Sequence, residues 1–210
     1  MENSRRRRRT VTLERLAYAL TLKSAARLGG AFKKSQNERQ IVIVLRIPLG
    51  SELDEYVAAA SILTSTAHSL ASFEISTPKL GHRSGIDIEL ISAQLKLKHS
   101  ILIIWPSEHS LPREIELAAD RVVDVGEVRP FHLAAAAKEF SGQNVDMADA
   151  RKILEHPFSA VVAAFRPGRP VSEVLARLAA VETDVQPPHV EAPPRLENLV
   201  GYGEAKTSTR

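Results

Sequence analysis

Two short apolar runs constrain this chain more than anything else in it. Ile41-Val-Ile-Val-Leu45 and Ile101-Leu-Ile-Ile104 contain no polar residue, and both stop at breakers, Pro48-Leu49-Gly50 and Pro106. A strand with one wet face alternates apolar and polar residues, whereas a strand with protein on both faces does not. Strands of the second kind belong to a parallel sheet covered by helices on both sides, and the intervening sequence supplies the helices. Ser51 stands where an N-cap belongs, ahead of a segment running to about Leu70, and Glu52, Asp54 and Glu55 suit the positive end of a helix dipole. Ser72–Thr77 reads as a weaker strand. Ile86–His99, with Ile88, Ile91 and Leu95 on one face, reads as a helix, and so does Pro112–Ala119. Arg121–Val125 reads as a strand, and Pro130–Phe140 as an alanine-rich helix opened by proline and closed near Gly142.

Past Gly142 the pattern becomes wholly helical, over Val145–Glu155, Pro157–Phe165 and Pro170–Glu182. The expected fold class is α/β: a small parallel Rossmann-like sheet over 41–142, followed by a helical subdomain over 143–183. Residues 1–40 form a basic N-terminal arm with an amphipathic helix from about Leu13 to Gly29-Gly30, and 184–197 a Pro-rich linker. Charge follows the same division. Residues 1–40 hold eleven Lys and Arg against three acids, while the remainder holds seventeen against twenty-two, so the basic character belongs to the arm and the folded body is mildly acidic. The chain has no cysteine, which removes disulfides, thiolate metal sites and a cysteine nucleophile, and fits a reducing cytoplasm. No stretch is long and apolar enough to span a bilayer. The Arg-rich, acid-poor start is also compatible with an organellar transit peptide.

Few residues in the chain fall into patterns that carry chemistry. A P-loop needs glycines to wrap phosphates, then Lys and Ser or Thr. The nearest text is Val200-Gly-Tyr-Gly-Glu-Ala-Lys-Thr207, where Val200 and Ala205 replace the two required glycines and Glu204 adds an anion. The seven histidines fall into no metal-binding spacing, so no metal is expected. Lys79, His82, Arg83 and Ser84 form a cationic loop entering the expected helix near Ile86, a candidate anion site at a helix N-terminus, against which stands a solvated hairpin-like loop. Arg5 to Arg9 could grip nucleic acid weakly and with steep salt dependence, but no aromatic residue interleaves to stack bases. Arg166-Pro-Gly-Arg-Pro170 reads as an inter-helix turn, and Trp105 as a cap on the sheet core at a strand's C-terminal end.

Arg195-Leu-Glu-Asn-Leu-Val-Gly-Tyr-Gly-Glu-Ala-Lys206 resembles the segment that opens the ATPase module of AAA+ proteins, with Asn198 where an acidic residue is common. The resemblance implies that Val200, Gly201 and Tyr202 would border an adenine base if the rest of the module followed. Ser100–Phe140 with the helical block looks like the front region of certain bacterial AAA+ ATPases. Leu111-Pro112, Ala119-Asp-Arg121 and Phe165-Arg-Pro-Gly168 also resemble parts of the second half of an ATPase module, but Trp105-Pro106 occupies the strand end where a polar sensing residue would stand. Family members continue to a P-loop; this sequence stops at Arg210, so residues 198–210 read as the truncated start of the module, from a truncated or frame-shifted gene or a stand-alone adaptor. The function so implied is a non-catalytic N-terminal substrate- or partner-docking region, with ATP and magnesium belonging only to the full-length family. Its partners would be other proteins or full-length AAA+ subunits. The alternative is a small anion- or nucleic-acid-binding α/β protein acting through its basic arm.

Overall fold

The computed structural model describes residues 11–28, 40–66, 73–80, 86–97 and 99–184. The first apolar run is the central strand β1 (Val42–Ile47). It pairs in parallel with β5 (Ser100–Pro106), the second apolar run, and on its other side with β6 (Arg121–Asp124). The strand β2 (Phe73–Ser76) pairs in parallel with the far edge of β5, so the four-stranded order is β2-β5-β1-β6. The sheet is thus the small parallel one the two runs demanded. Its order puts β5 between β1 and β2, unlike the two common doubly wound orders, in which β1 and β2 are neighbours.

Alternation within β1 and β5 divides their side chains between two dry faces. Ile43, Leu45, Ile47, Leu102 and Ile104 face one core, covered by α1 (Leu13–Leu28) and α2 (Leu53–Thr66). Val42, Val44, Ile101, Ile103 and Trp105 face the other, covered by Ile91 of α3 (Glu89–Leu95) and Ile115 of α4 (Arg113–Ala118). Asp120 fastens the start of β1 from both sides: Val42 N–H donates to its carboxylate at 3.0 Å, and its own N–H donates to the Val42 carbonyl at 2.9 Å.

Four helices follow: α5 (Pro130–Ser141), α6 (Met147–Ile153), α7 (Phe158–Ala164) and α8 (Val171–Asp184). They enclose a core of their own, built on Leu133, Ile153, Val161, Phe165 and Val174. Leu13 and Ala17 of α1 are buried in that core, while Ala19, Leu22, Ala25 and Ala26 are buried against α2 and the sheet. The helix expected to ride on a basic arm is therefore dry along most of its circumference and joins the two cores. Its alanines permit this, because small side chains let three helices approach one another closely.

Two local boundaries differ from the sequence reading. The helix expected over Ile86–His99 is shorter, because Lys79–Leu80 (β3) and Ile86–Asp87 (β4) pair as an antiparallel hairpin and α3 begins only at Glu89. The Glu55 and Tyr56 N–H groups donate to the Glu52 carbonyl at 3.2 and 3.3 Å, and α2 begins at Leu53, so Glu52 rather than Ser51 is the N-cap. No described helix is long and apolar enough to cross a membrane.

Candidate docking cleft

In an open parallel sheet, ligands lie outside the carboxyl ends of the strands, where outgoing connections turn to opposite sides. Here that point falls between β1, which leads through α2 toward β2, and β5, which leads through α4 toward β6. It is stitched shut. The backbone N–H of Ser107 donates to the Ile47 carbonyl at 3.2 Å, and the Ser107 hydroxyl donates to the same oxygen. Trp105 is wholly buried beside it and spends its indole N–H on the His109 carbonyl at 2.9 Å, in keeping with a core cap.

The open space lies one strand over, at the carboxyl ends of β1 and β6. A cleft of about 270 Å³ opens there between the sheet part and the helical part. Tyr18 of α1 and Tyr56 of α2 form its floor, with ring centroids 4.2 Å apart and planes within 16° of parallel. Phe158, at the start of α7, leans on Tyr18 at 5.5 Å. The turn after β1 adds Leu49 and Ser51, the loop after β6 adds Glu127 and Val128, and the turn between α6 and α7 adds Leu154 and His156. Leu49 is 76% exposed, as befits a rim.

The electrostatics of the floor follow from its position. Burial first, and then the charge of Glu14 one helical turn earlier, hold the Tyr18 phenol well above its ordinary range. Burial pushes Tyr56 up to about 12, opposed by a hydrogen bond with the Ser51 side chain, with Glu127 and Glu14 adding to the rise. Both phenols therefore stay neutral at physiological pH. Glu14 is itself raised by burial and then by the charge of Glu55, against the lowering effect of its hydrogen bond with Tyr18. Arg15 is committed elsewhere: its Nε and Nη2 donate to the two Glu55 oxygens at 2.7 and 2.8 Å, and that bidentate contact holds the Glu55 carboxyl low. The cleft thus has an aromatic floor with Glu14, Glu52 and Glu127 acting on it.

The connection from β1 into α2 is Pro48-Leu49-Gly50-Ser51-Glu52, closed by a Ser51 N–H to Pro48 carbonyl bond of 3.2 Å, with Gly50 at φ +72°. A phosphate-binding loop at this position needs eight residues ending in Lys and Ser or Thr. The connection is shorter, and Glu52, Asp54 and Glu55 turn the helix start anionic.

No protein-family model matches this chain, and no curated protein matches it.

Of the residues singled out in the sequence, Lys79 lies in β3 and borders a shallow groove that it shares with Glu52, Asp54 and Thr77. His82, Arg83 and Ser84 lie outside the described residues, as do Arg5 to Arg9, Val200, Gly201 and Tyr202. The hairpin moves the nearest helix start to Glu89, whose N–H donates to the Asp87 carboxylate at 2.8 Å, so the chain's own anion already sits there. Gly168 takes φ +82° in the turn between α7 and α8, and Arg169 donates to the Ala164 carbonyl at the end of α7 and pairs with Glu173 at 3.3 Å. Among the described residues no three His, Asp or Glu side chains gather in a metal-binding group.

Tyr18, Tyr56 and Phe158 carry no motif. One signal was nonetheless present: Glu14/Tyr18 and Glu52/Tyr56 repeat the same four-residue spacing at the starts of two helices, which places a carboxylate one turn before each ring.

Proposed function

We propose that this chain is the non-catalytic docking region of an AAA+ ATPase, binding a substrate or partner protein rather than a nucleotide. The observation that carries this reading is the β1–α2 connection. It occupies the place where a doubly wound domain would cradle phosphate, and it offers five residues, no lysine and an acidic helix start. The closed crevice between β1 and β5 supports the same reading. The AAA+ part of the proposal rests on the resemblance of Arg195–Lys206.

A ligand that binds only the folded state must raise the melting midpoint. ATP with magnesium is therefore expected to leave the midpoint unchanged and to yield no phosphate above a buffer blank. Cross-linking in the cells that make the protein is expected to recover a subunit bearing an AAA+ module. A midpoint raised by ATP, or cross-links that contain no such subunit, would overturn the proposal.

A further inference from the structure

We propose that two copies of this chain associate about a two-fold axis through the outward face of α1 and α5. This goes beyond the docking reading and does not depend on it. α1 is buried on two sides, in the helical core and in the core on the sheet. A helix placed at the surface turns polar residues outward, and one that is apolar all round is covered. The outward side of α1 is apolar for half its length. Leu16 and Leu20, followed by Lys23, line a groove of about 330 Å³ with Ala135 and Glu139 of α5 and Ile62 of α2. One turn before Ala135, and so on the same face of α5, Phe131 is 48% exposed, with its ring tilted against His132 at 4.0 Å. One surface carries both an apolar hollow and an aromatic knob.

The placement of these residues selects a second copy as the occupant. α5 runs antiparallel to α1, since His132 meets Thr21 and Ser24 while Ala136 and Ala137 share a core with Leu13 and Ala17. Ala135 therefore lies beside Leu20, Phe131 at the Lys23 end of the groove and Glu139 at the Leu16 end. A two-fold axis passing between Leu20 and Ala135 lays the α5 of each copy over the α1 of the other. It carries Phe131 of one copy onto Leu16 of the other, and Lys23 onto Glu139, with both contacts made twice. A two-fold contact needs a patch complementary to itself. Lys23 and Glu139 are the charged residues lining the groove, one of each sign and at opposite ends, and this meets that requirement. An exposed aromatic anchor is the kind of residue that dominates such an interface.

Sedimentation velocity of the full chain over a range of concentrations reads the association. The parent is expected to form dimers as its concentration rises. Phe131→Ser changes an exposed side chain, so it is expected to keep the far-UV circular dichroism of the parent and to weaken the dimer at least about tenfold. Lys23→Glu and Glu139→Lys, taken singly, bring like charges together at both ends of the contact. Each is expected to weaken the dimer at least about threefold. Mixing these two variants in equal amounts is expected to restore parental association, because both end contacts of the mixed dimer then pair opposite charges. A full chain that stays monomeric up to about 100 μM would overturn the proposal. One of the chain's own terminal segments, or a different protein, would then be what covers the groove. A dimer that Phe131→Ser leaves unchanged would also overturn it, as would a mixture of the two charge variants that associates no better than either alone.

Discussion

His132 shows how one side chain can couple two parts of the molecule. It sits in the first turn of α5, buried, 108 residues along the chain from Ser24. Its Nδ1 accepts the Arg129 backbone N–H at 3.2 Å, the returning half of a capping box with histidine in place of the usual Glu or Gln. Ser24 and Thr21, which contact Nε2 at 2.9 Å and Nδ1 at 3.2 Å, both donate their hydroxyls to backbone carbonyls, so the Arg129 N–H, which needs an acceptor, decides the tautomer and leaves the proton on Nε2. A second proton on Nδ1 would have the Thr21 hydroxyl oxygen within 3.2 Å but would meet the Arg129 N–H donor against donor. Burial, and then the charge of Arg129, accordingly hold His132 below the ordinary histidine range. A depressed folded-state pKa means that the unfolded chain binds the proton first, so stability is complete above pH ~6.5 and falls as pH drops through the lowered value. Urea midpoints are expected to be lower at pH 5 than at pH 7.5, and the difference should shrink in His132→Gln. Sequence placed this residue at a helix end; its burial depended on α1 arriving from more than a hundred residues away.

At the scale of elements, breakers and caps did most of the local work. Pro130 opens α5 and Gly142 closes it, with φ +74° and its N–H donated to the Lys138 carbonyl at 2.9 Å. A Cβ built on Gly142 would meet nothing within 4 Å, so the cost of Gly142→Ala is purely that of the left-handed backbone. That variant is expected to lose about 1–2 kcal/mol in chemical denaturation, with no change in the slope against denaturant. Asp146 caps α6 in the same local manner, accepting the Asp149 N–H at 2.7 Å. Such features were legible because they act within four residues. The β3–β4 hairpin was legible only as the alternative, a hairpin-like loop, since two-residue strands have no periodicity to read and Ile86 and Ile88 fit a helical stripe equally well.

For the whole molecule, α1 is the decisive element. Leu13 and Ala17 belong to the helical core, while Ala19, Leu22 and Ala25 belong to the core on the sheet. The two cores therefore share a wall and are expected to melt together. Leu13→Ala empties a site in the helical core and should cost about 2–5 kcal/mol. Because the wall is shared, Trp105 fluorescence, which reports on the far face of the sheet, should lose stability in step with far-UV circular dichroism. A Trp105 transition that stays put while the helical signal moves would show two independent units. The cleft over Tyr18 and Tyr56 has the same origin, because its rings come from α1, α2 and α7 and meet only once both cores are assembled.

The sequence by itself determined that a parallel sheet is wrapped by helices, where most helices begin and end, and that the glycines and lysine of a P-loop are not written together in these residues. Those properties follow from which neighbours a residue keeps dry within a turn or two of chain. Tertiary structure alone decided the strand order, the burial of α1, the closing of the crevice by Ser107 and the meeting of Tyr18 with Tyr56. Each of these depends on contacts between segments far apart in the chain, and local periodicity carries no record of which distant segment a dry face will meet.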